Sequence, residues 1–168
     1  MCDIINISTI FAKYFTKLWM RRGKERMMLD SSILTIREAT EQDAGTIAAL
    51  AEDAGMGTLS PRGTAYVALA EARIVGFIRI VEADGSPYVS PIVVDPQARR
   101  LGVGRALMEF ARERYGALMF VARGPAVPFY TALGCEQVAR ACISPALDED
   151  CDTCPDFATC SPVPMIYR

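Results

Sequence analysis

The stretch from Tyr88 to Tyr115 constrains this chain most. Tyr88 to Val94 is dominated by apolar and β-branched residues and reads as a buried strand, which Asp95-Pro96 ends. From Val103 to Tyr115 the spacing predicts a helix, with Leu107, Phe110, Ala111 and Arg114 on one face. Between the two lies Arg99-Arg100-Leu101-Gly102-Val103-Gly104. A helix start leaves about four backbone N–H groups unpaired and carries partial positive charge. Glycines let the backbone approach a bulky anion and adopt left-handed conformations. The strand–loop–helix unit is therefore an anion-binding site, and Arg99, Arg100 and Arg105 add charge to it. It is not a Walker loop, because no Gly-Lys-Ser/Thr follows and no lysine occurs after Lys24. Nor is it the dinucleotide Gly-x-Gly-x-x-Gly pattern, because Leu107 stands where the third glycine would be.

The flanking pattern sets the architecture. Ile33 to Arg37 reads as a first strand. Thr40 and Asp43 have the spacing of a capping box, and Ile47, Leu50, Ala51 and Ala54 follow at helical spacing until Gly55 and Gly57. Ala65 to Ala70 and Arg73 to Val81 form a hairpin about Glu71-Ala72, and residues 83–87 make a second turn. Ala117 to Ala122 is a strand, Ala126 to Leu133 a short helix closed by Gly134, and Glu136 to Ile143 and Pro164 to Tyr167 are the last strands. Hairpins mixed with crossovers exclude a doubly wound sheet and a barrel.

A chain of 168 residues, about half of them apolar, fits one ordinary domain. The net charge of −2 does not suggest wholesale nucleic-acid binding. No apolar run reaches the length of a membrane span, of about 18 residues or more. All three lysines precede Met28, and residues 1–27 carry a net charge of about +4, so the composition breaks there. Ile4, Ile5, Ile10, Phe11, Phe15, Leu18 and Trp19 fit an amphipathic helix with a basic far side. The favoured reading is an extension outside the fold, or an upstream start with the natural one at Met27 or Met28. The folded unit is then 28–168. The segment lacks the order of parts of a secretory signal.

Residues 94–107 (Val94-Asp95-Pro96-Gln97-Ala98-Arg99-Arg100-Leu101-Gly102-Val103-Gly104-Arg105-Ala106-Leu107) resemble the acetyl-CoA signature of the GNAT superfamily of N-acetyltransferases. Ala126-Val127-Pro128-Phe129-Tyr130-Thr131-Ala132-Leu133-Gly134 resembles that family's Ala-x-x-Phe-Tyr-x-x-x-Gly, one helix and one strand further on. The resemblance spans about Ile33 to Ile143. It implies an α/β (α+β) fold with a mixed, mostly antiparallel central sheet of about six to seven strands and about four helices. It also implies acetyl-CoA as cosubstrate. The amides of Arg99, Arg100, Leu101, Gly102, Val103, Gly104 and Arg105 are expected around the pyrophosphate. Ile92, Val93 and Val94 are expected along the pantetheine arm, as an added strand would pair. Phe129 is placed at the cofactor and Tyr130 at the departing thiolate. Ser90 stands where some relatives carry a base or a water-binding group. The chain departs from the family at Arg123, usually asparagine and a pantetheine contact, and at Cys135, usually aromatic.

The implied reaction is direct attack of a neutral primary amine on the thioester. With no histidine in the chain, the commonest general base is absent. A water chain to a carboxylate such as Glu82 is unsupported, and Glu82 reads as a solvated hairpin residue. The implied acceptor is a small-molecule amine such as an amino acid. The alternative is a non-catalytic acyl-CoA-binding or redox-sensing module on the same fold.

Five of the six cysteines fall at or after Cys135. With no secretory signal, the cytoplasm is the default compartment and clustered cysteines point to metal or redox chemistry. Cys151-Asp152-Thr153-Cys154 and Cys160, with Cys142 or Cys135 as fourth ligand, is a candidate zinc site, or an iron–sulfur site, in a loop over 144–162. The competing reading is a loop of reduced, partly buried thiols. A membrane partner is not favoured. The oligomeric state is unreadable, and a homodimer stays open.

Overall fold

The computed structural model describes residues 34–145, 147, 154 and 157–168. The expected extension over 1–27 lies outside the described residues, as does Cys151. The elements run β1 (Leu34–Glu38), α1 (Ala44–Asp53), β2 (Thr64–Ala70), β3 (Arg73–Ala83), β4 (Ser86–Val94), α2 (Val103–Tyr115), β5 (Leu118–Ala122), α3 (Val127–Leu133), β6 (Glu136–Gln137), α4 (Phe157–Cys160) and β7 (Val163–Tyr167). The strands form one seven-stranded sheet in the order β1-β2-β3-β4-β5-β7-β6. Every pairing is antiparallel except β4 with β5. Among the described residues no helix is long and apolar enough to cross a membrane.

Local chemistry sets the early elements. The Thr40 N–H donates to Asp43 Oδ2 at 2.7 Å, as a capping box requires, and a 3-10 turn over Glu41–Asp43 leads into α1. The Arg37 guanidinium holds Asp43 through two bonds of 2.7 and 3.0 Å. That contact, with the Thr40 N–H, keeps the Asp43 carboxyl well below the usual carboxylate range. Glu71 and Ala72, at φ of 49° and 65°, turn β2 into β3. Asp84 and Gly85, at 49° and 73°, turn β3 into β4, so Ser86 and Pro87 already belong to the strand.

Two apolar layers cover the sheet. Ile47 and Ala51 of α1 pack on Val67, Phe77 and Val93 on one face. Leu107, Met108 and Ala111 of α2 and Tyr130 of α3 pack on Ile78, Ile80, Val89, Leu118 and Phe120 on the other. Gly76 lets α2 sit close. A Cβ there would lie 2.8 Å from the Val93 carbonyl oxygen and 3.3 Å from Val103 Cγ1.

One expected strand is shorter than its apolar pattern suggested. Glu136 to Ile143 pairs with β7 only at Glu136 and Gln137, and Arg140–Cys142 is a 3-10 turn. Val138 N–H still reaches the Pro164 carbonyl at 3.0 Å. Pro164 has no N–H to return, so the ladder ends there.

Candidate functional site

The sheet opens between β4 and β5. Their only registered pair is Tyr88 with Met119, and beyond it the strands part. The pairing of β3 with β4 slips one residue between Ile78 and Ile80, where Ser90 and Pro91 stand against Arg79. Such a bulge bends a strand away from its neighbour. Past it, Val93 lies opposite Phe77, and the Asp95 N–H donates to Val75 O at 3.0 Å. Antiparallel pairing alternates, so the N–H and C=O groups of Ile92 and Val94 face away from β3, into the opening. Val93 turns its backbone to β3 and its side chain to α1. An extended chain carrying amides can therefore add to Ile92 and Val94, not to Val93.

The start of α2 stands at the wide end of this opening. Arg100 and Gly102 take φ of 65° and 88°, which turns the loop sharply before the helix. Gly102 is the N-cap and supplies no side chain, and the first intrahelical bond is Ala106 N–H to Gly102 O at 3.0 Å. The N–H groups of Val103, Gly104 and Arg105 are thus left by helix geometry for an outside acceptor. Arg99 Nε donates to Val94 O at 3.3 Å, which joins the loop to the free edge of β4. Arg105 reaches Glu109 Oε1 at 3.3 Å and the Ala132 carbonyl of α3 at 3.4 Å.

The loop and the second motif meet at Gly104. A Cβ there would lie 3.1 Å from Phe129 Cζ and 3.6 Å from Val94 Cγ2. Phe129 is 40 % exposed, and its ring centroid is 5.0 Å from that of Tyr130. Tyr130 packs at 4.5 Å on Phe120 of β5 and is buried. Its phenol is pushed up to about 12, by burial first and then by the nearby Cys135. The buried Cys135 thiol is itself raised to about 11 by desolvation. Among the described residues no hydrogen-bond partner takes the Tyr130 hydroxyl. Pro125 sits in a 3-10 turn over Gly124–Ala126 and Pro128 in the first turn of α3, where neither missing N–H is needed.

Residues 61–136 match the family model described as an acetyltransferase (GNAT) domain, a span that contains β2 to α3 and the whole opening. Over residues 61–136 the chain carries a GNAT acetyltransferase domain. Over 112 residues it is 33 % identical to a mycothiol acetyltransferase of Thermomonospora curvata, covering 66 % of this chain and 37 % of that protein. Over 67 residues it is 33 % identical to the peptidyl-lysine N-acetyltransferase YiaC of Escherichia coli, covering 38 % and 44 %. It thus spans less than half the length of each of these curated relatives. A gonococcal N-acetylglutamate synthase, solved with coenzyme A and N-acetylglutamate, superposes with a TM-score of 0.66 at 16 % identity. The superposition covers 80 % of this chain and 35 % of that one, and at this identity it speaks for the GNAT fold alone.

Within this GNAT frame the motif residues separate by location. Val94, Arg99, Gly104, Phe129 and Tyr130 gather along the opening. Ser90 lies at the bulge, with its carbonyl held by Arg79 Nε. The described cysteines do not converge on a metal site. Cys135, Cys142, Cys154 and Cys160 are free, and among the described residues no three His, Cys, Asp or Glu side chains could share a metal ion. The described part of the proposed zinc or iron–sulfur donor set therefore does not fit a metal.

Two arginines were missed by the motifs. Arg79 is 8 % exposed in the middle of β3 and donates to the carbonyls of Ser90 and Ser60. A charged residue inside the apolar run Ile78 to Val81 was the available signal. Arg123, expected to alter a pantetheine contact, donates to the carbonyls of Ala54 and Gly55 at 3.2 and 3.1 Å.

Proposed function

We propose that this chain is an acetyl-CoA-dependent N-acetyltransferase whose acceptor is the primary amine of a small molecule, an amino acid being the first class to test. One observation carries the reading: the β4–β5 opening has backbone groups of Ile92 and Val94 that no strand pairs along one side and a helix start without a side-chain cap at its wide end. That pairing of an extended edge with an anion site suits a pantetheine arm joined to a pyrophosphate. The choice of a small acceptor is our own, since the relatives' names include a thiol metabolite and a peptidyl lysine. Four free cysteines are in keeping with a reducing compartment such as the cytoplasm.

Acetyl-CoA supplies an activated thioester. The new bond is amine nitrogen to acyl carbon, and the bond broken is acyl carbon to sulfur. In this reading Tyr130 faces the sulfur. A phenol at about 12 stays protonated at neutral pH. A thiol ionises near 8.5, so full proton transfer from Tyr130 is uphill by about 5 kcal/mol. Tyr130 therefore acts chiefly by donating a hydrogen bond as negative charge gathers on sulfur, a charge-assisted bond of ~1.5–3 kcal/mol. The Ser90 hydroxyl stands at the bulge, two residues before Ile92, and in this reading orders water there. With no histidine, the amine proton leaves through water.

Isothermal titration of the full chain with acetyl-CoA should give one site per chain, weakened when Arg99 and Arg105 are both changed to Glu. Thiol release with a panel of amino acids and simple amines should then show turnover. Binding with no turnover on any amine would favour the non-catalytic acyl-CoA module. Absence of binding would overturn both.

A further inference from the structure

A second cleft lies where α2 ends, on the α2 face of the sheet and between β2 and β3. The β2–β3 ladder starts at Thr64 with Ile80, and the same register carried outward would set Arg62 opposite Glu82. The ladder stops short of that pair. Gly63 turns the chain at φ of 86°, and a Cβ there would lie 2.3 Å from Ile80 O. A residue without a side chain is needed for so close a passage over β3, and beyond it the strands part. Residues two apart on a strand, and residues paired across strands, share a face. Ile80 packs under α2, so Thr64 and Glu82 also stand on the α2 side. Tyr115, the last residue of α2, makes the far wall, and its hydroxyl is fixed 2.6 Å from that of the buried Tyr66.

The space is about 380 Å³, and its lining includes Arg62, Thr64, Ile80, Val81, Glu82 and Tyr115. None of its lining residues belongs to β4, β5, α3 or the phosphate loop. Its two charges are left apart. Elsewhere on this surface neighbouring opposite charges close into ion pairs, as Arg37 with Asp43, Arg73 with Asp95 and Arg105 with Glu109. Among the described residues the side chains of Arg62 and Glu82 enter no ion pair or hydrogen bond, with each other or with any other group. A guanidinium offers only donors and a carboxylate only acceptors. A ligand that satisfies both carries an anion and a cation on one small body, and the volume suits a small molecule.

We propose that this cleft is a second small-molecule site, apart from the β4–β5 opening, and that its ligand is a free α-amino acid. The carboxylate meets the Arg62 guanidinium, whose fork matches it. The ammonium meets the Glu82 carboxylate, and the side chain lies over Ile80 and Val81. An amine held as its ammonium on Glu82 is not a nucleophile, so the amino acid bound here is not the acetyl acceptor. The site stands whether or not the opening holds acetyl-CoA, because no residue is shared between them.

The test is amide NMR of the full chain titrated with L-leucine, with 3-methylbutylamine, which lacks its carboxylate, and with 4-methylpentanoate, which lacks its ammonium. Leucine should give saturable shifts at Gly63, Thr64, Val81 and Tyr115, with a Kd on the order of 1 mM, and leave Ile92 and Val94 in place. Each single-charge analogue should bind about tenfold more weakly, the scale of one lost charge-assisted bond. In Arg62→Ala, leucine should bind no better than 3-methylbutylamine does. In Glu82→Gln, it should bind no better than 4-methylpentanoate does. A merely structural role for either side chain would not give these matched losses, and both variants should melt with the wild type because both residues are exposed. Saturating acetyl-CoA should leave the leucine titration unchanged. No saturable shift at the cleft would overturn the site. Leucine shifts centred on Ile92 and Val94, or abolished by acetyl-CoA, would put the amino acid in the opening and overturn it equally. A preference for leucine over both analogues that survives both substitutions would overturn the pairing with Arg62 and Glu82.

Discussion

Replacing Tyr130 by Phe isolates one hydroxyl. The ring keeps its contacts with Phe120 at 4.5 Å and Phe129 at 5.0 Å. Among the described residues the hydroxyl has no partner to orphan. Stability should therefore be nearly unchanged, within about 0.5 kcal/mol, unlike a change that strands a buried donor. The kinetic effect is different in kind. Lost donation to a developing thiolate is worth ~1.5–3 kcal/mol, which lowers kcat by about 10- to 150-fold. A neutral thioester sulfur needs no such donor, so the Kd for acetyl-CoA should hold. Because the phenol stays protonated up to about 12, the wild-type rate should show no falling limb from Tyr130 as pH rises through the ordinary tyrosine range. The assay is thiol release at saturating acetyl-CoA, with titration calorimetry and a thermal melt on the same samples. A kcat within about threefold of wild type, or a fall matched by an equal loss of acetyl-CoA affinity, would refute the assigned role.

Two further outcomes follow from the same geometry. Gly104→Val should place branches where a Cβ is already 3.1 Å from Phe129 Cζ. The exposed Phe129 ring can swing aside, so the fold should survive while acetyl-CoA affinity, read by calorimetry, falls about 10- to 100-fold, the worth of one strong N–H bond to phosphate. Alkaline stability should fall early: Tyr66 and Tyr130 are both raised to about 12, chiefly by burial. The native state then holds those protons more tightly than the unfolded chain, whose tyrosines ionise near 10. Their contribution is complete below about pH 10 and is lost as pH rises toward about 12, which urea midpoints across that interval would report.

Much of this was legible in the residues because local rules carried it. Val103 to Tyr115 was read to its ends, since Gly102 and Gly116 bracket one amphipathic run. The hairpin at Glu71-Ala72 followed from two strand-like runs two residues apart. The strand after Gly134 was over-read because its limit is Pro164, nearly thirty residues later, which only pairing brings opposite Val138. The bulge at Ser90-Pro91, which bends β4 from β5, did leave a local mark, a proline inside a strand-like run, and that run was read as a straight strand. The bonds made by Arg79 and Arg123 left no mark of that kind. Their acceptors are carbonyls, at Ser60, Ser90, Ala54 and Gly55, and every residue type carries one. The cysteine spacing suggested a metal, yet among the described residues no three donor side chains come together.

The central claim is that free main-chain donors on β4 and at the start of α2 grip one ligand together. Amide NMR during titration with acetyl-CoA tests it most directly. The account predicts the largest shifts at Ile92, Val94, Val103, Gly104 and Arg105, saturating together, with Val93 moving little. Saturable binding that leaves these amides in place and moves those of another edge of the sheet would contradict it.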